Sequence, residues 1–377
     1  MSSAAPFLPI EIIADVLKRL PVKSLIRFQT VCKLWKNVIK SPSFIANHLD
    51  HSDRVNLSLI SRGRHTTVSG TSILYFLDRD MQLCRFQNNP FIDSLKHASI
   101  VDSSNGLLCV LTGLPGTLLS IYVCNPAIRE VIEVPRSPSM DLPYIPFLGF
   151  AFSPTVNDYK IVIPYVPRGN HKYAFEAYSV TTNSWKNIGM GSLKVTSHPF
   201  GYITFNGSMF WFTSQRGLAS HECTEVILSL RLAMDEFTLI PLPPLSRKDE
   251  IVKLTAYKNR LAVFHCSRCL NRENILIDLW VIEEGIGFSW SKILTCGPYG
   301  PYPGIVAPLT IWMNQIVCDV FVTSQEGNTY KIDGAGSFLF DPTSNEVKVL
   351  YSGRDGILDS VFTYSESLVP ISIDFKV

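Results

Sequence analysis

The feature that most restricts this chain is a turn signal that recurs about every 50 residues. Asn105-Gly106 leads into Leu107–Leu111, Asn157-Asp158 into Tyr159–Ile163 and Asn206-Gly207 into Ser208–Phe212. Lys258-Asn259 then leads into Arg260–Phe264, and Asn314 into Gln315–Val320. The Asn-to-Asn spacings are 52, 49, 53 and 55 residues. A second landmark keeps the same interval: Tyr122–Pro126, Ala177–Val180, Leu228–Leu232, Asp278–Ile282 and Phe338–Pro342. A short turn and a further apolar run follow each, centred on Val131, Trp185, Phe237, Trp290 and Val347. Each unit therefore reads as four short strands, a to d.

Four strands at a period near 50 predict an all-β, kelch-like β-propeller. Residues 54–377 hold room for about six such units at this period. Five are visible. The sixth is expected to be composite, with Val55–Ile60, Ile73–Leu77 and Leu83–Phe86 joined by a last strand from within Val361–Ile373. Sharing one blade between the chain ends closes the ring and removes open edges. Arg54–Ser99 is the least regular part, and a seventh blade stays open on sequence alone.

The first 49 residues are of another kind. Pro9 suits the first position of a helix, where its missing N–H costs nothing. Ile10, Ile13, Leu17 and Leu20 then give one apolar stripe, and Ile12 with Val16 a second. Pro21 stops that helix and opens another through Leu25, Ile26 and Phe28; Val31–Ile39 forms a third that ends near Pro42. So few residues cannot bury all these side chains by themselves. No metal-ligand set is present and Cys32 stands alone. Two readings remain: a cap packed on the body, or an apolar face that another protein covers.

The order Leu8-Pro9, Leu20-Pro21-Val22-Lys23-Ser24-Leu25, Arg27-Phe28, Val31-Cys32-Lys33 and Trp35 resembles an F-box. The resemblance implies docking on a small acidic Skp-type adaptor that bridges to a cullin–RING ubiquitin ligase. The matching docking positions are Leu8, Pro9, Leu20, Pro21, Leu25, Val31, Cys32 and Trp35. The body resembles the F-box-associated interaction domain of plant F-box proteins, through Asn105–Cys109, Val123–Pro126, Tyr159–Val162 and Tyr364–Val369. The expected layout is an F-box helical domain over 1–50 and a target-binding propeller over 51–377. The implied role is the substrate-recognition subunit of the ligase, itself non-catalytic. Alternatives are a propeller hydrolase or oxidase with a helical cap, and an interaction scaffold that builds no ligase.

Charge supports an acidic partner. Residues 1–49 carry seven basic side chains and two acidic ones, a net +5, whereas the remainder has 27 basic against 30 acidic. Such asymmetry speeds encounter with an acidic protein. The basic residues are interleaved with core positions, which argues against a nucleic-acid surface.

Nine cysteines without regular pairing distances argue against a disulfide framework, and the N-terminus has no basic stretch before an apolar run. A reducing cytoplasm or nucleus is the expected compartment. Leu107–Val123, the stretch most like a membrane span, is broken by Gly113, Pro115 and Gly116 and reads as two strands.

In a four-stranded blade the a–b and c–d turns share one face. The long b–c and d–a connections share the other: Tyr165–Lys172, Ser214–Cys223, Cys266–Asn274 and Thr323–Gly336, with Pro135–Phe147, Pro241–Glu250 and Thr295–Gly304. Loops longer than a hairpin needs carry function more often than chance, so a protein target is expected there. Exposed aromatic and basic anchors on that face are Tyr165, Arg168, His171, Arg216, Arg268, Arg272, Tyr299 and Tyr302. Cys266-Ser267-Arg268-Cys269 lacks a second ligand pair at zinc spacing, so no metal or cofactor is expected. Trp185, Trp211, Trp280 and Trp290 sit at strand positions and read as core. No phosphate loop, nucleophile elbow or HExxH motif occurs.

Overall fold

The computed structural model describes residues 8–371, apart from 64–72, 81–82, 86–97, 114–118, 139–147, 168–172, 217–222, 246–250, 269–273, 284–286, 300–303, 327–328 and 354–357. The chain begins with α1 (Ile10–Leu17), α2 (Val22–Phe28), α3 (Lys33–Lys40) and α4 (Pro42–Val55). Pro9 and Pro21 each occupy the position just before a helix, one residue earlier than expected. Cys32 caps α3, its Sγ accepting the Trp35 N–H at 3.4 Å.

Four helices replace the three that the sequence suggested. Pro42 does not end the helical region but opens α4, and the Ser41 hydroxyl caps it by accepting the Phe44 N–H at 3.3 Å. The buried side of α4 is Phe44, His48 and Ser52. Two of those three are polar, so hydrophobic periodicity alone does not reveal the helix.

Six four-stranded antiparallel sheets follow. Blade one holds β4 (Ser99–Ser104), β5 (Leu107–Thr112), β6 (Ser120–Asn125) and β7 (Glu130–Glu133). Blade two holds β8 (Gly149–Ser153), β9 (Asp158–Tyr165), β10 (Ala174–Ser179) and β11 (Ser184–Ile188). Blade three holds β12 (Phe200–Phe205), β13 (Ser208–Arg216), β14 (Cys223–Arg231) and β15 (Glu236–Pro241). Blade four holds β16 (Ile251–Tyr257), β17 (Arg260–Arg268), β18 (Ile275–Ile282) and β19 (Trp290–Tyr299). Blade five holds β20 (Gly304–Trp312), β21 (Gln315–Glu326), β22 (Thr329–Phe340) and β23 (Val347–Gly353).

The sixth blade is composite, in the order β24 (Leu358–Tyr364), β1 (Ser58–Gly63), β2 (Ile73–Leu77) and β3 (Leu83–Arg85). The innermost strands neighbour one another in the sequence β4, β8, β12, β16, β20, β24 and back to β4, so the ring is closed. Six blades, not seven, fill the chain.

The Asn turns have a common backbone cause. Asn105, Asn157, Asn206, Asn259 and Asn314 all lie at φ between 48° and 62°. Asn105-Gly106, Asn206-Gly207, Lys258-Asn259 and Met313-Asn314 place two successive residues at positive φ, the twist a two-residue hairpin requires. Asn tolerates this region better than other side-chain-bearing residues. Periodic asparagines thus fix where each blade turns.

Trp185 and Trp290 do more than fill the core. The Trp185 indole N–H donates to the Pro135 carbonyl at 2.7 Å, and that of Trp290 to the Pro241 carbonyl at 2.9 Å. Each outer strand is thereby tied to the exit of the preceding blade. Trp211 is fully buried among the side chains packed between blades two and three.

After β24 the chain runs on as a strap, residues 365–371, across blade one. The Asn125 side-chain amide donates to the Ser367 and Val369 carbonyls at 3.0 and 2.8 Å, and the Ile371 N–H donates to Glu130 at 2.8 Å. Gly106 lies beneath it. A Cβ there would meet the Ser367 Cβ at 2.5 Å and the Ser365 carbonyl at 2.6 Å, whereas a Cβ on Gly191, also at positive φ, meets nothing within 4 Å. Gly191→Ala is expected to cost about 1 kcal/mol from backbone strain alone. Gly106→Ala must also displace the strap and is expected to cost about 3 kcal/mol. Chemical denaturation of both variants checks this; equal losses would show that the strap does not press on the turn.

Candidate functional site

The helices deliver one set of side chains inward and another outward. Leu17, Val22, Leu25, Ile39 and Phe44 form a single buried cluster with Leu368 of the strap, and Ala127 and Ile128 of the β6–β7 turn pack on it. The cap reading is therefore correct for this side. The other side is apolar and open: Leu8 is 62 % exposed, Val31 60 % and Val16 55 %, with Ile10, Ile12, Ile26 and Leu34 exposed as well. Ile12 and Val16, four residues apart, share a side of α1, and Leu8 lies just before that helix.

Of the docking positions drawn from the sequence, Leu8, Pro9, Pro21, Val31 and Cys32 are exposed. Leu20 is half-buried, and Trp35 packs edge-on against Phe28 with ring centroids 5.3 Å apart. Leu25 is corrected: it is 0 % exposed and belongs to the core, where a partner cannot touch it. Ile12, Val16 and Ile26 are exposed positions that the motif match passed over. For Ile12 and Val16 the signal was the second apolar stripe of α1, which one helix in a small cap does not need.

Asp15 sits between Lys18 and Arg19, at 2.6 and 2.9 Å, and these hold its carboxyl below the usual range. Both pairs are surface pairs and contribute little to stability.

The direction of the strands sets the two faces. The chain leaves α4 at Val55 and enters β1, a second strand, so the helices stand on the face of the tight turns. The long connections lie opposite. Among the target-face residues, Tyr165 is half-buried and its hydroxyl donates to Asn187 at 2.8 Å. Arg168, His171, Arg272 and Tyr302 lie outside the described residues. Arg216 and Arg268 are the last residues of β13 and β17, and their side chains are also outside them.

Tyr299 is corrected from exposed anchor to core. It is 3 % exposed and meets the Phe340 ring edge-on at 4.5 Å between centroids. Two loops are shorter than expected as well. β21 and β22 continue to Glu326 and from Thr329, which turns the Thr323–Gly336 loop into a long hairpin; β19 and β20 leave 300–303 between them.

On the turn face the ring opens into a cavity of about 590 Å³, lined by the ends of β4, β8, β12 and β24 with their turns, and by Asp53 of α4. Asp53 is the one ionisable side chain among the lining residues. Deeper, Asp102 of β4 accepts the Thr204 hydroxyl at 2.8 Å and the Ser103 N–H at 2.7 Å. The Tyr202 hydroxyl donates to the Val101 carbonyl. These bonds join β4 directly to β12 past β8, so this carboxyl serves ring closure. Of the Cys-x-x-Cys, Cys266 is buried and Cys269 lies outside the described residues; no cluster of three metal-binding side chains occurs among the described residues. No helix among them is long and apolar enough to cross a membrane.

The F-box associated beta propeller domain family matches residues 66–371, and the F-box domain family matches residues 6–47. The chain belongs to the F-box proteins that carry an F-box associated beta propeller domain. Its relatives in Arabidopsis thaliana include F-box protein CPR1, 24% identical over 76% of this chain and 72% of that protein. Putative F-box protein At3g52320, also from Arabidopsis thaliana, is 25% identical over 98% of this chain and 93% of that protein. Among solved structures, Kuenenia stuttgartiensis hydrazine synthase aligns with a TM-score of 0.50 at 11% identity. That match covers 85% of this chain and 49% of the other, and is a likeness of fold alone.

Burial pushes the Asp102 carboxyl up to about 7. The folded protein therefore holds a proton there that the unfolded chain releases near pH 4, and this site loses stabilisation as pH rises from about 4 to 7. Asp102→Asn is expected to match the parent at pH 4 and to exceed it by about 1 to 4 kcal/mol at pH 8. Unfolding curves at both pH values measure it, and a pH-independent difference would contradict the assignment.

Proposed function

We propose that this protein is the substrate-recognition subunit of a cullin–RING ubiquitin ligase. The observation that carries the proposal is the exposed apolar face of α1 to α3, set on helices whose opposite side is anchored to the propeller. Several large apolar side chains exposed on one small helical region support a protein-interaction site, and membership of the F-box family supports a Skp-type adaptor as its occupant. The basic charge of the helical region favours an acidic adaptor and speeds encounter.

The long-connection face of the propeller holds a protein target. Adaptor and target then sit on opposite faces of one ring. The receptor supplies no reacting group; it raises the effective concentration of target lysines near the charged conjugating enzyme. The two-domain division, helices for the ligase and propeller for the target, is part of this proposal, as is residence in cytoplasm or nucleus.

Co-expression with a plant Skp-type adaptor followed by size-exclusion chromatography tests it. A one-to-one complex is expected from the parent chain. Leu8→Asp with Val31→Asp is expected to abolish the complex while the melting temperature stays within about 2 °C, because both side chains are exposed. Leu25→Asp is expected to unfold the helices instead, since it buries a charge in a full core. A complex that survives the first pair would refute the interface. Ubiquitin transfer in a reconstituted assay separates a ligase receptor from a bare scaffold.

A further inference from the structure

The innermost strands begin on the long-connection face, and β12, β16 and β20 neighbour one another in the ring. Their opening residues, Phe200–Tyr202, Ile251–Val252 and Ile305–Val306, carry no charge. Phe200 and Ile305 are each 45 % exposed, and Ile251 and Val252 between them are half-buried. An apolar arc therefore follows the mouth of the ring, away from the helices.

Phe200 is presented by a built device. β12 and β13 pair at Phe200↔Phe212 and again at Ile203↔Phe210, so Gly201 and Tyr202 together face Trp211 alone. Gly201 lies at φ 56°, the left-handed glycine of a bulge that re-aims the side chains beside it. β4 and β20 are bulged as well, at Val101 and Leu309, but neither of those residues has a positive φ. A Cβ on Gly201 would meet the Phe212 ring at 3.3 Å. That ring is buried in the core between blades three and four, beside Val252, and Phe200 leans on it with centroids 5.7 Å apart.

The connection that leads into Phe200 is pinned. The Thr196 N–H donates to the Ser214 carbonyl and the Ser214 N–H to the Ser197 hydroxyl, both at 2.8 Å. The Thr213 hydroxyl donates to the Ser197 carbonyl at 3.0 Å, and Val195 is buried. A lone exposed phenylalanine needs no explanation. Phe288, 46 % exposed in the β18–β19 turn of the opposite face, is of that kind and has no ring contact among the described residues. An exposed ring on a glycine bulge, backed by a buried ring and a fixed connection, is a rigid anchor, and rigid anchors lower the ordering cost of binding.

We propose that Phe200 and Ile305 are the anchors by which the long-connection face holds a protein target, through an uncharged apolar segment of that target. A charged segment on this arc would lose water without gaining a partner. The assignment rests on the target-face reading above and names the residues and the chemistry of the contact.

The test is selection of a phage-displayed library of random dodecapeptides on the full-length protein, after depletion on Phe200→Ser. Apolar peptides are expected to be recovered and to bind the parent saturably. Their affinity is expected to fall about tenfold or more in Phe200→Ser and in Ile305→Ser, to stay within about threefold in Phe200→Leu, and to be unchanged in Phe288→Ser. Phe200→Ser is expected to keep its adaptor complex, which shows that the variant is folded and reads the ligase assignment separately. Recovery of no peptide, recovery of charged peptides only, full affinity in Ile305→Ser, or an equal loss in Phe288→Ser would each overturn the proposal.

Discussion

The interaction on which the rest depends is the return of the C-terminal segment to the start of the chain. β24 pairs with β1 from Ser58↔Tyr364 to Gly63↔Leu358 and so completes a blade begun some 300 residues earlier. Joining segments so far apart in sequence costs loop entropy, which the pairing and everything after it must outweigh. The strap that follows adds the hydrogen bonds of Asn125 and Glu130 to blade one and places Leu368 in the core of the helices. Glu366 is held against the Val22 N–H at the start of α2. One short segment therefore closes the ring, clamps the first blade and seats the helical region.

This arrangement gives the two faces of the ring different work. The turn face is crowded by helices, strap and tight asparagine hairpins, and its polar groups bond within the fold, as Asp102 does with Thr204. The opposite face keeps the longer connections. Lys160 extends the ties between blades, reaching the Leu232 carbonyl at 2.5 Å and Asp235 at 3.2 Å. With the Trp185 and Trp290 bonds, such contacts link neighbouring blades by polar groups as well as by packing.

Much of this architecture was legible because backbone geometry left its mark on residue type. Asn105, Asn157, Asn206, Asn259 and Asn314 repeat because left-handed turns need them, and their spacing gave blade period and blade count. The composite blade followed from the count. What stayed hidden depended on contacts between distant segments. α4 was missed because its buried side is partly polar: it holds His48 and Ser52, which a periodicity of apolar residues does not register. Tyr299 and Leu25 looked like surface anchors by motif and by loop position, yet packing placed both inside. Nothing local marked the strap as the link between the two regions, since Ser365–Val369 has no strand or helix pattern of its own.

The strap ties the helices to the ring through Leu368 and the β24–β1 pairing. Hydrogen exchange followed by mass spectrometry, comparing the parent with Leu368→Ser, addresses it directly. Loss of this one buried side chain is expected to speed exchange in α2 and α4 and, together with them, in the β1–β24 pair, while β13 and β14 keep their protection. Unchanged exchange in the helices, with loss confined to the strap, would contradict it and make the two regions independent.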